Sequence, residues 1–187
     1  MNSKNYLCVT WRCAMKQAAK IAGVVLAVML LLISFLWLNN DIGVSKISIE
    51  KDARGSSKIK DDWQVAKDTS DTMSAMVFYP EDKSDHSFQI YVNRPGLSFG
   101  YFFRGGGDIV EVENYIAEFT VEGYNDRAFV SINTQKVVRM EIDNGNSIEK
   151  IDIDSSKPFA FVLPKNIGNI TFFDINNNVV DTMNHPL

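Results

Sequence analysis

The sequence predicts an all-β domain carried behind one N-terminal transmembrane helix, and three observations predict it. Residues 21–38 read IAGVVLAVMLLLISFLWL, eighteen residues without a charge. From Trp63 onward, β-branched and aromatic residues alternate with polar ones between regularly spaced turn residues. Beyond residue 62 no long stretch shows an apolar face of helical period. Such a pattern closes its apolar faces as a single β-sandwich or a small barrel.

Taken in order, residues 1–20 form a basic tail with Lys4, Arg12, Lys16 and Lys20 and no acid. The run 21–38 spans about 27 Å at a helical rise of about 1.5 Å per residue, close to the hydrocarbon thickness of a bilayer. Trp37 suits the interface at its end. Residues 39–58 carry as many basic residues as 1–20, but Lys16 and Lys20 abut the apolar run, whereas Lys46 stands eight residues from Leu38. Positive charge beside a span stays in the cytoplasm, so the tail is expected inside and the remainder in the periplasm. The competing reading is a cleaved signal peptide with Gly43 and Ser45 at the cleavage site. The long basic region and the length of the apolar run favour an uncleaved signal anchor. Cys8 and Cys13 precede the span, where they are expected as reduced, unpaired thiols.

Residues 39–62 balance five basic against five acidic side chains around Gly55-Ser56-Ser57. Few large apolar residues offset the entropy of ordering them, so the segment is expected to be a flexible polar linker, with a short strand at Val44–Ile49 as the alternative. Residues 63–187 hold the β-domain. Its expected strands are Trp63–Ala66, Ala75–Tyr79, Ser87–Asn93, Leu97–Arg104, Ile116–Glu122, Ala128–Ile132, Val137–Ile142, Ile148–Ile153, Ala160–Leu163 and Ile170–Asp174. Asn144-Gly145 is the firmest turn, because both residues tolerate the positive φ of tight hairpins. Ile109–Glu122 is open to a helical reading, but its Ile, Val, Tyr, Thr and Phe content favours strand. Phe78, Phe88, Tyr91, Phe99, Phe102, Phe129, Phe161 and Phe172 are the expected aromatic core.

The order of features from about 61 to 175 resembles small periplasmic β-sandwich accessory proteins of Gram-negative bacteria, namely the type VI secretion accessory TagO and the invasion-associated protein B family. Trp63-Gln64-Val65 followed by Asp71-Thr72-Met73 is similar to the TagO opening. Tyr101-Phe102-Phe103-Arg104-Gly105, the Arg139–Gly145 hairpin and Phe172-Phe173-Asp174-Ile175 resemble later strands. The Cys pairs common in such proteins are missing here. The resemblance implies a non-catalytic periplasmic module; fold-level likeness does not name its partner.

The chain carries a net charge of -4 over 187 residues, with two Cys and two His. The acidity of the domain disfavours nucleic acid and anionic lipid as partners and would suit a basic protein surface. No Gly-x-Ser-x-Gly elbow accompanies His86, which is expected as a solvated loop histidine. Gly105-Gly106-Gly107 lacks the Gly-Lys-Ser/Thr ending of a phosphate loop and is expected as a turn. Asp143, Glu149, Asp152 and Asp154 form an acidic patch, read as a charged edge-strand face, with a cation site as the alternative. Asn169-Ile170-Thr171, formally a glycosylation sequon, is read as sheet sequence. The expectation is therefore no enzyme, no cofactor and no small-molecule substrate. It is a membrane-anchored β-domain for protein–protein interaction in a secretion, conjugation or phage-exclusion complex. Arg94, Gly96, Arg104 and Gly106 mark its candidate interaction loops. The alternative is an inhibitor or immunity protein that plugs a lytic enzyme with those loops, and a cell-wall hydrolase comes last.

Overall fold

The computed structural model describes residues 3–38, 41–94 and 99–187, with side chains from Gln17 onward. Two compact units, Met1–Ile42 and Gly43–Leu187, divide the chain.

The first unit is helix α1, Ser3–Leu38, which runs through the basic tail into the apolar run. Gln17–Leu38 is long and apolar enough to cross a membrane, and none of its apolar window is buried within the protein. Twenty-two residues at a rise of about 1.5 Å make about 33 Å. Leu31 and Leu38 stand more than seven-tenths exposed. A helix apolar on every side finds its favourable surroundings in lipid.

Among the described residues the second unit holds twelve strands. They are β1 (Gln64–Thr69), β2 (Met73–Tyr79), β3 (Ser87–Asn93), β4 (Tyr101–Gly107), β5 (Ile116–Thr120), β6 (Asp126–Ser131), β7 (Val137–Asp143), β8 (Ile148–Asp152), β9 (Phe159–Pro164), β10 (Asn169–Asp174), β11 (Val179–Val180) and β12 (Thr182–Pro186). They form three four-stranded sheets ordered β1-β2-β3-β4, β12-β5-β6-β9 and β11-β10-β7-β8. Pairing is antiparallel except for β12, which runs parallel to β5. The all-β sandwich thus goes one sheet deeper than a two-layered one.

Alternation along β6 explains the third layer. Ala128 and Val130 face the first sheet, in a cluster with Val77, Ile90, Phe119 and Val162. Phe129 points the other way, into a cluster with Met140, Phe159 and Phe172. A strand covered on both faces reads as a continuous apolar run, as Ala128–Ile132 does apart from Ser131. Phe88 stacks on Phe119 at a 4.5 Å centroid distance across the first interface, and Phe129 meets Phe172 at 5.3 Å across the second.

The expectation of a flexible linker over 39–62 is corrected from Gly43 onward; residues 39–40 lie outside the described residues. Residues 46–48 form a 3-10 turn and Ile49–Ser56 form helix α2. Ile49 and Ala53, four apart on one helical face, are buried with Ile59 on the outer face of the first sheet against Met76, Phe78 and Tyr91. The charges that suggested solvation are tied down. Lys67 donates to Glu50 at 2.6 Å, Tyr91 Oη donates to Asp52 at 2.8 Å, and Arg54 donates to the carbonyls of Lys60 and Trp63 at 3.1 and 3.0 Å. Val44–Ile49 is not a strand: Val44 makes a single bridge to Tyr101.

Further corrections follow from local packing. Ile109–Glu122 divides into a short helix α3, Val110–Asn114, and strand β5. Gly105-Gly106-Gly107 is strand, not turn, because Gly106 lies against the buried Gln89 side chain; a Cβ there would stand 2.6 Å from Gln89 Oε1. Of the expected core aromatics, Phe102 and Phe161 are only half-buried and Phe99 is 59% exposed. Strands β11 and β12 escape the pattern, being short or polar.

Candidate interaction surface

Strand β4 ends the first sheet, with β3 on one side. Its other side is covered only at the start. Val44 and Tyr101 exchange two backbone hydrogen bonds at 2.8 Å, and Gly43 N–H donates to the Phe99 carbonyl at 2.6 Å. From Phe102 to Gly107 the outward edge has no second strand among the described residues. An edge of this kind presents main-chain donors and acceptors to an incoming strand.

Side chains shape that edge. Ile90 pairs with Gly105 and Tyr91 with Phe103, which leaves Arg104 as the extra residue of a bulge. Phe103, half exposed, meets Tyr91 edge-on at 5.7 Å. Gly105 faces inward against Leu187, and Gly106 faces Gln89, so these two positions offer backbone with no side-chain screen. Gln89 is 1% exposed and its Oε1 has no hydrogen-bond partner among the described residues. Burial, reinforced by the Asp52 carboxylate, pushes the Tyr91 phenol up to about 12.

The four predicted loop residues therefore separate. Arg104 and Gly106 belong to β4, not to a loop. Arg94 follows β3, with its guanidinium 4.0 Å over the Phe102 ring. Gly96 lies outside the described residues. What the sequence reading missed was the role of Val44 and Gly43 in covering the start of the edge. Alternation around Val44 was the one available signal.

The other candidates resolve into structural roles. His86 is buried, correcting its reading as a solvated histidine; its Nε2 accepts the Ile109 N–H at 3.3 Å and lies 3.2 Å from the Ile109 carbonyl. It thereby pins the entry to α3. In the acidic patch, Asp143 accepts the Gly145 N–H at 2.8 Å in the hairpin turn. Asp154 accepts the Ser156 hydroxyl and backbone N–H, which with Lys157 hold its carboxyl well below the usual range. Asp143 and Asp154 build turns, Glu149 and Asp152 lie on the edge strand β8 as the charged face expected, and among the described residues no group of three or more His, Cys, Asp or Glu is placed to hold a metal ion. The sequon residues lie in β10 as sheet sequence.

Searches against protein-family models, curated proteins and solved structures return no match to this chain.

Proposed function

We propose that the chain is a single-pass membrane protein of the cell envelope that presents a non-catalytic periplasmic β-domain to a protein partner, with β4 as the docking edge. The observation that carries this reading is the uncovered stretch Phe102–Gly107 on a domain attached to an apolar helix. Two glycines with no screening side chain leave the backbone accessible to strand addition, a recognition mode in which main-chain hydrogen bonds supply affinity. Lys16 and Lys20 beside the apolar run support a cytoplasmic N-terminus. The resemblance of residues 61–175 to periplasmic accessory modules supports a role in an envelope complex.

Site-specific photocrosslinking tests the reading in intact cells. A photoreactive residue at Arg104 is expected to give a discrete adduct with an envelope protein, and one at Asn146 on the β7–β8 turn none. Absence of any adduct at Arg104 sinks the proposal. Orientation is tested separately. Cys8 and Cys13 are expected to react with a membrane-impermeant maleimide only after the inner membrane is opened.

A further inference from the structure

We infer that the partner at the β4 edge is a second copy of this chain. The two β4 strands pair antiparallel about a two-fold axis, with Phe103 of each opposite Gly106 of the other. The inference rests on the reading of β4 as the docking edge and names its occupant. Main-chain direction is the first observation. On β3, Asn93 donates its N–H to the Thr72 carbonyl, away from β4, and Tyr91 and Gln89 follow at steps of two along the strand. Their register partners on β4 are Tyr101, Phe103 and Gly106, the bulge at Arg104 accounting for the uneven spacing. Polar groups alternate in direction along an antiparallel pair, so these three turn N–H and C=O away from β3. Tyr101 does so toward Val44, with which it exchanges two hydrogen bonds. Phe103 and Gly106 do so toward an open edge. They also share a face. Phe103 meets Tyr91 edge-on, and Gly106 lies beside Gln89, whose register partner on β2 is Met76. Tyr91 and Met76 both belong to the outer face of the first sheet.

A two-fold contact requires that one residue meet a second on the partner copy while the second meets the first. Pairing Phe103 with Gly106 satisfies main-chain direction and face together, and each pair exchanges N–H and C=O. The midpoint of these two residues is also the midpoint of the uncovered stretch 102–107, so Phe102 falls opposite Gly107 of the second copy. The pairing therefore ends where Val44 already covers Tyr101. Side chains match as well. Phe103, 51% exposed, lies over a position with no side chain, the arrangement in which an aromatic ring covers a glycine of the neighbouring strand. Charge fits the same register. Arg104, the one charged residue in the stretch, falls opposite Gly105, so like charges do not stand directly opposite one another. The stretch holds no acid, in a domain that is acidic overall, and two copies meet there without the repulsion carried by the rest of the surface. Such a contact is short, but two chains held in one bilayer meet at high effective concentration.

Two differently tagged full-length copies, expressed together, test this with the photoreactive residue at Arg104 of one copy. The expected product carries both tags at the mass of two chains, and mass spectrometry is expected to map the attachment to β4 of the other copy. The same residue at Asn146 is expected to give no two-tag product. Phe103→Asp in both copies is expected to lower the two-tag product about tenfold, because the symmetry makes the change twice. Phe103→Leu, which keeps an apolar side chain over the glycine, is expected to retain it. Should the Asp variant fail to accumulate, Phe103→Ser removes the ring without adding a charge and is expected to act in the same direction. An adduct at Arg104 with a different protein, and none carrying both tags, overturns the inference and leaves β4 as a docking edge. No adduct of any kind removes both readings. A two-tag product attached outside β4, or one undiminished when the ring at 103 is removed, overturns the inference by excluding this pairing.

Discussion

The carboxylate of Asp68 on β1 accepts the backbone N–H of Val162 on β9 at 2.8 Å, joining edge strands of two different sheets across 94 positions of sequence. It occupies an N–H of β9 that would otherwise be open to another strand, so the second sheet is protected where the first, at β4, is not. Asp68→Ala leaves that N–H without its acceptor, and a loss of about 1–3 kcal/mol is expected. Urea unfolding of a soluble fragment 43–187 measures it. An unchanged midpoint would show that the bond contributes nothing.

Where a soluble fragment begins decides its behaviour. A fragment starting at Trp63 loses Ile49, Ala53 and Ile59 and uncovers Met76, Phe78 and Tyr91 on the outer face of the first sheet. At roughly 1.5–3 kcal/mol for each large apolar side chain removed from water, the expected loss is about 3–6 kcal/mol relative to 43–187. Thermal melts and light scattering of the two fragments compare them directly. Equal stability would return 43–62 to the status of a linker.

Asn133 holds the passage from the second sheet to the third. It has a φ of 63°, its Oδ1 accepts the Val137 N–H at 2.7 Å, and its Nδ2 lies 3.1–3.2 Å from the carbonyls of Val137, Asp154 and Lys157. Asn133→Ala is expected to cost about 2–4 kcal/mol through lost bonds and the left-handed backbone. Asn133→Asp places a carboxylate among three carbonyl oxygens and should be worse than Ala near neutral pH. If Asp proves as stable as Asn, the amide nitrogen is not facing those carbonyls.

Alkaline pH weakens the contact between α2 and the first sheet. The Tyr91 phenol is raised from 10.0 to about 12, first by burial and then by Asp52. A raised value means the neutral phenol is favoured in the folded state, so this stabilisation is complete below about pH 10 and is lost as pH rises through about 12. Tyr79 and Tyr101 shift the same way, burial being the first cause for each. Glu50 acts at the other end of the scale. Hydrogen bonding to Lys67 lowers its value, so its contribution is present above 4.5 and is lost as pH falls through the depressed value. Denaturation midpoints of 43–187 against pH should fall on both sides, and Tyr91→Phe should flatten the alkaline limb. An alkaline limb unchanged in Tyr91→Phe assigns it to other groups.

Gly106 and Gln89 should be thermodynamically coupled. A Cβ on Gly106 would meet Oε1, Cδ and Nε2 of Gln89 at 2.6–2.8 Å, and Gln89 is too buried to swing aside freely. Gly106→Ala is expected to destabilise by about 1–3 kcal/mol, and much of that loss should vanish in the Gln89→Ala background. Additive losses in the double variant would mean the two groups do not press on each other.

Much of the fold was legible because burial on a sheet face leaves a period of two. β3 begins and ends where its alternation does, and the Asn144-Gly145 turn follows from positive φ at Gly145. Three kinds of feature were not legible. The helix α2 hides in a charged segment because two apolar residues four apart carry its packing, too few to register against the average. The glycines of β4 resemble a turn until Gln89 is known to fill the space beside Gly106. Phe99 resembles core sequence, since hydrophobicity says nothing of whether a ring is covered by protein. The edge itself follows from strand order, which depends on pairings between distant positions.

Strand β12 has a consequence for the timing of assembly. It runs parallel to β5, pairing Thr182 with Ile116, and Leu187, just past its end, donates its N–H to the Thr120 carbonyl at 2.8 Å. Every strand of the third sheet intervenes in the chain before those residues appear. A chain delivered N-terminus first would hold β5 with one side open until residues 182–187 arrive, and closing so large a loop is slow. The second sheet is therefore completed late, only after every strand of the third sheet has been delivered, and β5 keeps one unpaired side throughout that interval.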